Sequence, residues 1–196
     1  LLSGNGREAS ISVPDVPDDK DSIRQQLART EHRRVRFMRR DITAPALDCD
    51  KLIGFLVSKP GPRLLIVNTV QTAAVTAHAM RERQMAVLHL STALAPIHRV
   101  PIIEETKRRL KSCEHTDWTL VATSCVEAGV DLSFRTGIRE RASLASLIQT
   151  SGRVNRDHRY RHAEVWDVLL RDRRFTSNPS VEISRQALAR FRLDKI

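Results

Sequence analysis

Short apolar runs alternate along this chain with longer segments whose apolar residues recur at helical spacing. The run Leu64–Val67 is wholly apolar, which is typical of a strand covered on both faces. Residues 70–83 follow it with apolar side chains at intervals of three or four: Val70, Ala74, Ala77 and Met80. Strand followed by helix, repeated along the chain, predicts an α/β fold around a mainly parallel sheet.

The same reasoning places the remaining elements. Besides 64–67, the predicted strands are 35–38, 85–90, 118–122 and 163–170. Besides 70–83, the predicted helices are one after Pro45 with Leu52, Ile53 and Leu56 on one face, one over 96–111, one beginning at Ser143–Ile148, and a terminal helix over 179–192. Pro60-Gly61-Pro62 ends the first of these helices.

The charge balance favours a polyanionic partner. Lys and Arg total 33 against 23 Asp and Glu, a net charge of +10, and 27 of the cations are arginine. A guanidinium matches two phosphate oxygens at once, which suits a nucleic acid or a nucleotide, although a basic, solvated surface explains the excess equally well. Aromatic residues are only 4% of the chain, so contacts to the sugar-phosphate backbone are expected rather than base stacking.

Compartment and termini follow from simpler features. Cys49, Cys113 and Cys125 are far apart and form no C-x-x-C pair, which indicates neither a disulfide framework nor a metal site and favours the reduced cytoplasm. No apolar run approaches the roughly 18 residues of a membrane span, so no membrane partner is predicted. The chain does not begin with Met, and we expect a fragment whose residues 1–30 form a leader or linker.

Polar residues recur directly after the predicted strands. They are Asn68-Thr69, His89 to Thr92 and Thr123-Ser124, followed further along by Gly129 to Asp131 and by Gln149 to Arg156. In parallel sheets, ligands bind at the carboxyl ends of the strands. The sequence therefore predicts that these residues meet at one edge of the sheet and form a binding surface there.

The segment Gln149 to Arg156 has the strongest chemical signal. Arg153 and Arg156 are three residues apart, which puts them on one side of a helical turn, and Gly152 permits close backbone approach. Two such cations can meet the charge on a transferring phosphoryl group, an effect worth about 10³–10⁵ in rate. The alternative is a pair of surface arginines on a basic helix.

These segments together resemble a known family. Motif V of superfamily 2 helicases resembles the segment from Val121 to Asp131. Motif VI resembles Ser-Leu-Ile-Gln, which ends at Gln149, together with Gly-Arg-Val-Asn-Arg, which ends at Arg156. Leu65 to Val70 is similar to motif IV, and Val87 to Thr92 to the element after it. The resemblance is to the second RecA-like lobe of the CRISPR-associated helicase–nuclease family of type I interference.

The resemblance implies a fold and a set of roles. It implies a three-layer RecA-like domain over residues 31–172, with 173–196 as a terminal helix or a linker toward a further domain. Arg153 and Arg156 match arginine fingers, and Gly129, Asp131 and Gln149 match positions at the nucleotide. The positions that match contacts to a single DNA strand are Asn68, Thr69, His89 and Thr123. From the residues alone, Asp131 can equally cap a turn, and the Thr123 hydroxyl can cap the turn after its strand.

The resemblance also implies partners that the chain itself does not contain. No G-x-x-x-x-G-K-[ST] and no Asp-Glu-x-His sequence occurs, so the ligands for ATP phosphates and Mg²⁺ are expected on a separate first lobe. The implied partners are single-stranded DNA, that first lobe, an HD-type nuclease domain and a CRISPR RNA-guided surveillance complex. The implied location is a prokaryotic cytoplasm. Two alternatives stay open: a stand-alone nucleic-acid-binding module, and a regulatory RecA-like domain without enzymatic activity.

Overall fold

A computed structural model describes residues 34–40, 44–112, 115–126 and 131–190. Its centre is a six-stranded sheet in the order β1-β6-β5-β2-β4-β3, and every neighbouring pair is parallel. The strands are β1 Arg36–Arg39, β2 Arg63–Ile66, β3 Val87–Leu90, β4 Thr119–Ala122, β5 Thr136–Glu140 and β6 Glu164–Val168. The predicted α/β fold with a mainly parallel sheet is confirmed.

Helices connect the strands on both faces of the sheet. They are α1 Cys49–Val57, α2 Val70–Glu82, α3 Pro96–Lys111, α4 Leu144–Ser151 and α5 Glu182–Arg190, with short 3₁₀ turns at Ser124–Val126 and Pro179–Val181. Asp48, Thr69 and Ser143 begin α1, α2 and α4, and each side chain accepts a hydrogen bond from a backbone N–H of the first turn. Such caps are worth about 1 kcal/mol each.

The core forms two layers, one on each face of the sheet. Leu65 and Val67 pack against α1 and α2, whereas Leu64 and Ile66 point the other way, toward α3. In a third cluster, Leu147 of α4 and Leu188 of α5 pack against Val165 of β6, on the same face of the sheet as α3. The fold therefore has three layers. In α2, Ala77 and Met80 are buried as expected, but Ala74 is exposed and Ala73 is buried in its place.

The strand β5 is absent from the sequence-based prediction, although it lies between β6 and β2. Its sequence, Thr-Gly-Ile-Arg-Glu, has one large apolar residue, so it lacks the apolar run that marked the other strands. Arg139 is nevertheless 4% exposed, and a Cβ at Gly137 would lie 2.7 Å from Cγ2 of Val154. A strand with this polar sequence can be buried because Asn68 provides a hydrogen-bond partner for the Arg139 guanidinium. The glycine is required because Val154 occupies the space that a side chain at position 137 would need.

Residues 171–190, which we call the covering segment, return across the carboxyl end of the sheet. Asp172 accepts a hydrogen bond from the backbone N–H of Cys49 at 2.9 Å, and Arg39 donates to the carbonyl of Leu188 at 2.8 Å. The domain boundaries at residues 30 and 172 stay predictions, and the predicted leader lies outside the described residues. In the part of the chain that the structure describes, no helix has the length and apolar character needed to cross a bilayer.

Candidate functional site

The segments of the two predicted nucleotide motifs are held together by backbone hydrogen bonds. The N–H of Phe134 donates to the carbonyl of Arg153 at 2.8 Å, and the N–H of Asn155 donates to the carbonyl of Phe134 at 2.7 Å. This short parallel bridge between Phe134 and Val154 lies directly before β5. It fixes the chain on both sides of Val154, including the backbone of Arg153, against the segment that contains Asp131.

The structure brings Arg156 and Asp131 into an ion pair. Nη1 of Arg156 lies 2.8 Å from Oδ1 of Asp131, and the two side chains are 51% and 79% exposed. A pair this exposed contributes only about 0–1 kcal/mol, so either partner can exchange it for another ion at little cost. The Arg156 guanidinium is therefore accessible to an oxyanion.

Arg153 lies deeper than Arg156. Its Nε donates to the carbonyl of Val126 at 3.0 Å, which ties the side chain to the turn that follows β4. Partial burial lowers the pKa of the Arg153 guanidinium, and the neighbouring charge of Arg156 lowers it further. Because an arginine pKa starts so high, the group stays fully charged, and the two cations present a concentrated positive charge.

Asn155, between the two arginines, shapes the turn that separates them. Its φ of 49° is in the left-handed region, which asparagine tolerates better than most residues. Its Nδ2 donates to the carbonyls of Arg34 and Tyr160 at 2.9 and 2.7 Å, and the residue is 2% exposed. The sequence reasoning missed Asn155 and Arg34, and the turn preference of asparagine was the available signal.

Asn68 is the centre of a polar network at the carboxyl end of β2. Its Oδ1 accepts a hydrogen bond from Arg139 at 2.7 Å, and its Nδ2 donates to the carbonyl of Arg141 at 3.0 Å. Its backbone N–H donates to Oε2 of Glu140 at 2.7 Å. Burial raises the pKa of the Glu140 carboxyl, while the Asn68 hydrogen bond and the charge of Arg139 act in the opposite direction.

Thr69 and Thr123 use their hydroxyls within the fold. Oγ1 of Thr69 accepts from the N–H of Thr72 at 3.1 Å and donates to the Thr72 hydroxyl. Thr123 is 5% exposed, and its Oγ1 accepts from the N–H of Thr92 at 3.3 Å. The Thr123 contact joins the chain after β4 to the chain after β3 rather than capping the turn after its own strand, and a contact of either hydroxyl to DNA stays a prediction.

The other sequence-predicted residues are separate from this network. His89 lies in β3 at the edge of the sheet, where burial, and secondarily Arg81, lower the pKa of its imidazole. Its Nε2 is buried without a hydrogen-bond partner among the described residues. Gln149 is exposed on α4, and Gly129 lies outside the described residues.

The candidate residues therefore form two groups rather than one edge. Asn68, Thr69 and Thr123 lie after the carboxyl ends of strands, whereas Arg153 is paired with Phe134, just before the amino end of β5. The expectation of a single surface was wrong for the arginine segment. The physical reason is that the strands are parallel, so the chain must return to the amino end of the sheet between one strand and the next. Helix α4 makes this return after β5, which brings Arg153 to the amino end.

A buried ionic cluster, which the sequence reasoning also missed, lies near the first group. Asp167 of β6 is 1% exposed at its side chain and lies 2.9 Å from Nε of Arg39 and 3.0 Å from Nε of Arg141. Two cations around one buried carboxylate connect β1, β6 and the chain after β5. Among the described residues, no three His, Cys, Asp or Glu side chains group so as to hold a metal ion.

Comparison with known proteins identifies the family. The model for the C-terminal part of the CRISPR-associated nuclease/helicase Cas3 matches residues 60–159, which include every candidate residue from Asn68 to Arg156. The chain belongs to this Cas3 family. Within it, the chain is the second RecA-like lobe, the C-terminal helicase domain.

Individual relatives agree with the Cas3 assignment. A CRISPR-associated nuclease/helicase Cas3 of Haloferax volcanii is 44% identical over 43 residues, which are 22% of this chain and 5% of that protein. The crystal structure of T. fusca Cas3-AMPPNP is similar with a TM-score of 0.60 and 20% identity over 80% of this chain and 21% of that one. The chain thus spans a small part of these Cas3 proteins.

A whole RecA-like domain also matches this Cas3 lobe. The C-terminal domain of the DEAD-box protein Dbp5 is similar with a TM-score of 0.55 and 15% identity, over 81% of this chain and 87% of that domain. At such low identity the likeness shows the fold alone. It confirms the RecA-like architecture that the motif resemblance implied.

Proposed function

We propose that this lobe supplies two arginine fingers to an ATP-dependent superfamily 2 DNA helicase. Arg153 and Arg156 donate hydrogen bonds to the γ-phosphoryl oxygens of ATP that is held on a first RecA-like lobe. Charge on those oxygens grows in the transition state, so cations placed there lower the barrier to hydrolysis. Asp131, Gly129 and Gln149 border the same nucleotide.

The observation that supports this assignment best is the exposed pair of Arg156 and Asp131, with Arg153 beside it. Asp131 holds Arg156 in place at 2.8 Å without burying it, and the Phe134–Val154 bridge fixes the backbone of the second arginine. This arrangement keeps two guanidinium groups charged and oriented, and it leaves that of Arg156 open to solvent. Those properties are what an arginine finger needs before a nucleotide arrives.

The chain's own residues fit the triphosphate but not the metal. Two arginines meet phosphate oxygens, whereas the sequence has neither a phosphate-binding glycine-rich loop nor the Asp-Glu pair that holds Mg²⁺ in these enzymes. When bound to the first lobe, ATP and Mg²⁺ supply the phosphoryl group and its metal. We therefore expect no ATP hydrolysis by this lobe alone.

Contacts to a single DNA strand form the second part of the proposal. We assign them to Asn68, Thr69, His89 and Thr123 at the carboxyl end of the sheet, with the net charge of +10 favouring a polyanion. In this assignment the Thr69 hydroxyl exchanges its donation to the Thr72 hydroxyl for a phosphate oxygen, and the Thr123 hydroxyl exchanges its donation to Sγ of Cys125. Closure of the lobes around the nucleotide then moves the strand by one step.

The wider role follows from the family. We propose that the whole protein unwinds and degrades invading DNA in a prokaryotic cytoplasm, through a first lobe and an HD-type nuclease domain. A CRISPR RNA-guided surveillance complex delivers the DNA to it.

Arg156→Ala tests the finger assignment in a protein that contains both lobes. We expect DNA-stimulated ATP hydrolysis to fall by about 10³-fold or more, with little change in DNA affinity, because the lost cation acts mainly on the transition state. The matched control is Arg161→Ala, which removes an exposed arginine five residues further along. Turnover by the Arg156 variant equal to that of the control would contradict the assignment.

A further inference from the structure

A small polar cavity lies between the covering segment and the carboxyl end of the sheet. Its volume is about 190 Å³, below the roughly 300 Å³ of typical small-molecule sites but enough for a phosphate group with part of its sugar. The polar side chains that line it are Asn68, Ser124, Arg139, Ser143, Ser146, Asn178 and Ser184. Hydroxyls, amides and one guanidinium make a site rich in hydrogen-bond donors.

The charge in the cavity comes from Arg139. This side chain is 4% exposed and is oriented by hydrogen bonds to Oδ1 of Asn68 at 2.7 Å and to the carbonyl of Glu140 at 2.9 Å. No carboxylate lines the cavity within the described part of the chain. The acid next to Arg139, Glu140, directs Oε2 to the backbone N–H of Asn68 instead.

The covering segment completes the wall of this cavity. Asn178 and Ser184 belong to it, and Asn178 accepts a hydrogen bond from the N–H of Ser180 at 3.1 Å through its Oδ1. That contact fixes the amide, whose Nδ2 is a donor. On the opposite side, the hydroxyl of Ser143, which caps α4, lies 3.0 Å from that of Ser146 in the first turn of the helix.

We propose that the covering segment closes a site for one phosphate of the DNA strand. Asn178 and Ser184 donate to the phosphate from one side, Ser124 and the α4 serines from the other, and Arg139 supplies the positive charge. The inference rests on the proposed path of the strand along Asn68. It adds residues outside the helicase motifs to that path and gives the covering segment a role in holding the strand.

Asn178→Asp is the sharpest test, because an aspartate keeps the capping oxygen for Ser180 and adds one negative charge to the cavity. The control is Ser180→Asp, which adds the same charge at an exposed position of the same segment that does not line the cavity. Binding of fluorescent oligo-dT to the chain is measured by anisotropy at several salt concentrations. Circular dichroism checks that each variant is folded.

We expect Asn178→Asp to weaken oligo-dT binding by about tenfold or more and to reduce the slope of log K against log salt by about 0.7, the value of one lost phosphate contact. Ser180→Asp should change the affinity by less than about twofold. Ser184→Asp, which adds the charge from α5, should repeat the larger effect. Equal losses in the Asn178 and Ser180 variants would overturn the inference.

Inorganic phosphate, added at constant ionic strength, separates the two sources of a phosphate group. We expect millimolar phosphate to leave the oligo-dT complex intact, since the strand binds through several phosphates at once. Displacement of the strand from the unmodified chain, but not from Asn178→Asp, would assign the cavity to a free phosphate and overturn the strand assignment. An unmodified chain that binds no oligo-dT would contradict the proposed strand contacts themselves.

Discussion

Gly137 connects the arrangement of the arginine segment to the stability of the sheet. A Cβ at this position of β5 would lie 2.7 Å from Cγ2 of Val154 and 3.3 Å from Cγ2 of Thr150. Both neighbours are fully buried, so neither can move into solvent. Gly137→Ala must therefore displace α4 or the Val154 bridge from the sheet.

The magnitude follows from two opposed effects. Overpacking of a core costs about 1–3 kcal/mol, and replacing glycine by alanine in the unfolded chain returns about 0.4–1 kcal/mol. We expect the free energy of unfolding to fall by about 1–2 kcal/mol, which lowers Tm by about 2–8 °C for a chain of this size. Urea unfolding followed by the fluorescence of Trp118 and Trp166 measures the change.

The control is the same substitution in open space. A Cβ added at Gly54, in α1, would meet no atom within 4 Å, so Gly54→Ala should raise the stability by about 0.5–1 kcal/mol. Val154→Ala, made in the Gly137→Ala background, should cost less than it does alone because it relieves the contact. A Gly137→Ala protein as stable as Gly54→Ala would refute the reasoning.

Two further substitutions test the charged groups at the carboxyl end of the sheet. Burial raises the pKa of Glu140, so the contribution of this carboxyl to stability is full below about pH 4.5 and is lost as the pH rises through the raised value. Glutamine does not ionise, so Glu140→Gln should gain stability relative to the unmodified chain as the pH rises from about 4 to 8. Parallel urea titrations of the two proteins measure the difference. Asp167→Asn leaves Arg39 and Arg141 without their buried counter-charge and should cost about 3–5 kcal/mol, against about 0–1 kcal/mol for the exposed pair in Asp157→Asn.

Much of the fold was predictable because apolar pattern and burial agree in most elements. Helix α3 spans Pro96–Lys111, the predicted range, and the Leu64–Val67 run located β2 to within one residue. The exception is β5, whose buried Arg139 is satisfied by Asn68, a residue 71 positions away. Local sequence cannot show that a polar strand has such a distant partner, so periodicity placed no strand there.

The sequence proposes candidate members of the site but not their arrangement. The motif spacing identified Arg153 and Arg156, yet their position depends on the bridge of Val154 to Phe134, which no periodicity indicates. The cavity residues Asn178 and Ser184 gave no signal at all. Single polar residues on a basic, weakly patterned segment acquire a role only when the chain folds back over the sheet.

Strand β5 unites the two groups that the fold separates. Its Gly137 admits Val154, beside Arg153, and its Arg139 holds Asn68 and lines the polar cavity. The first contact requires a small residue and the second requires a charged one. An apolar strand of large side chains could make neither contact. A shift of β5 relative to its neighbours would then change the position of the proposed arginine fingers and of the proposed strand site together, which is the coupling that the proposed translocation requires.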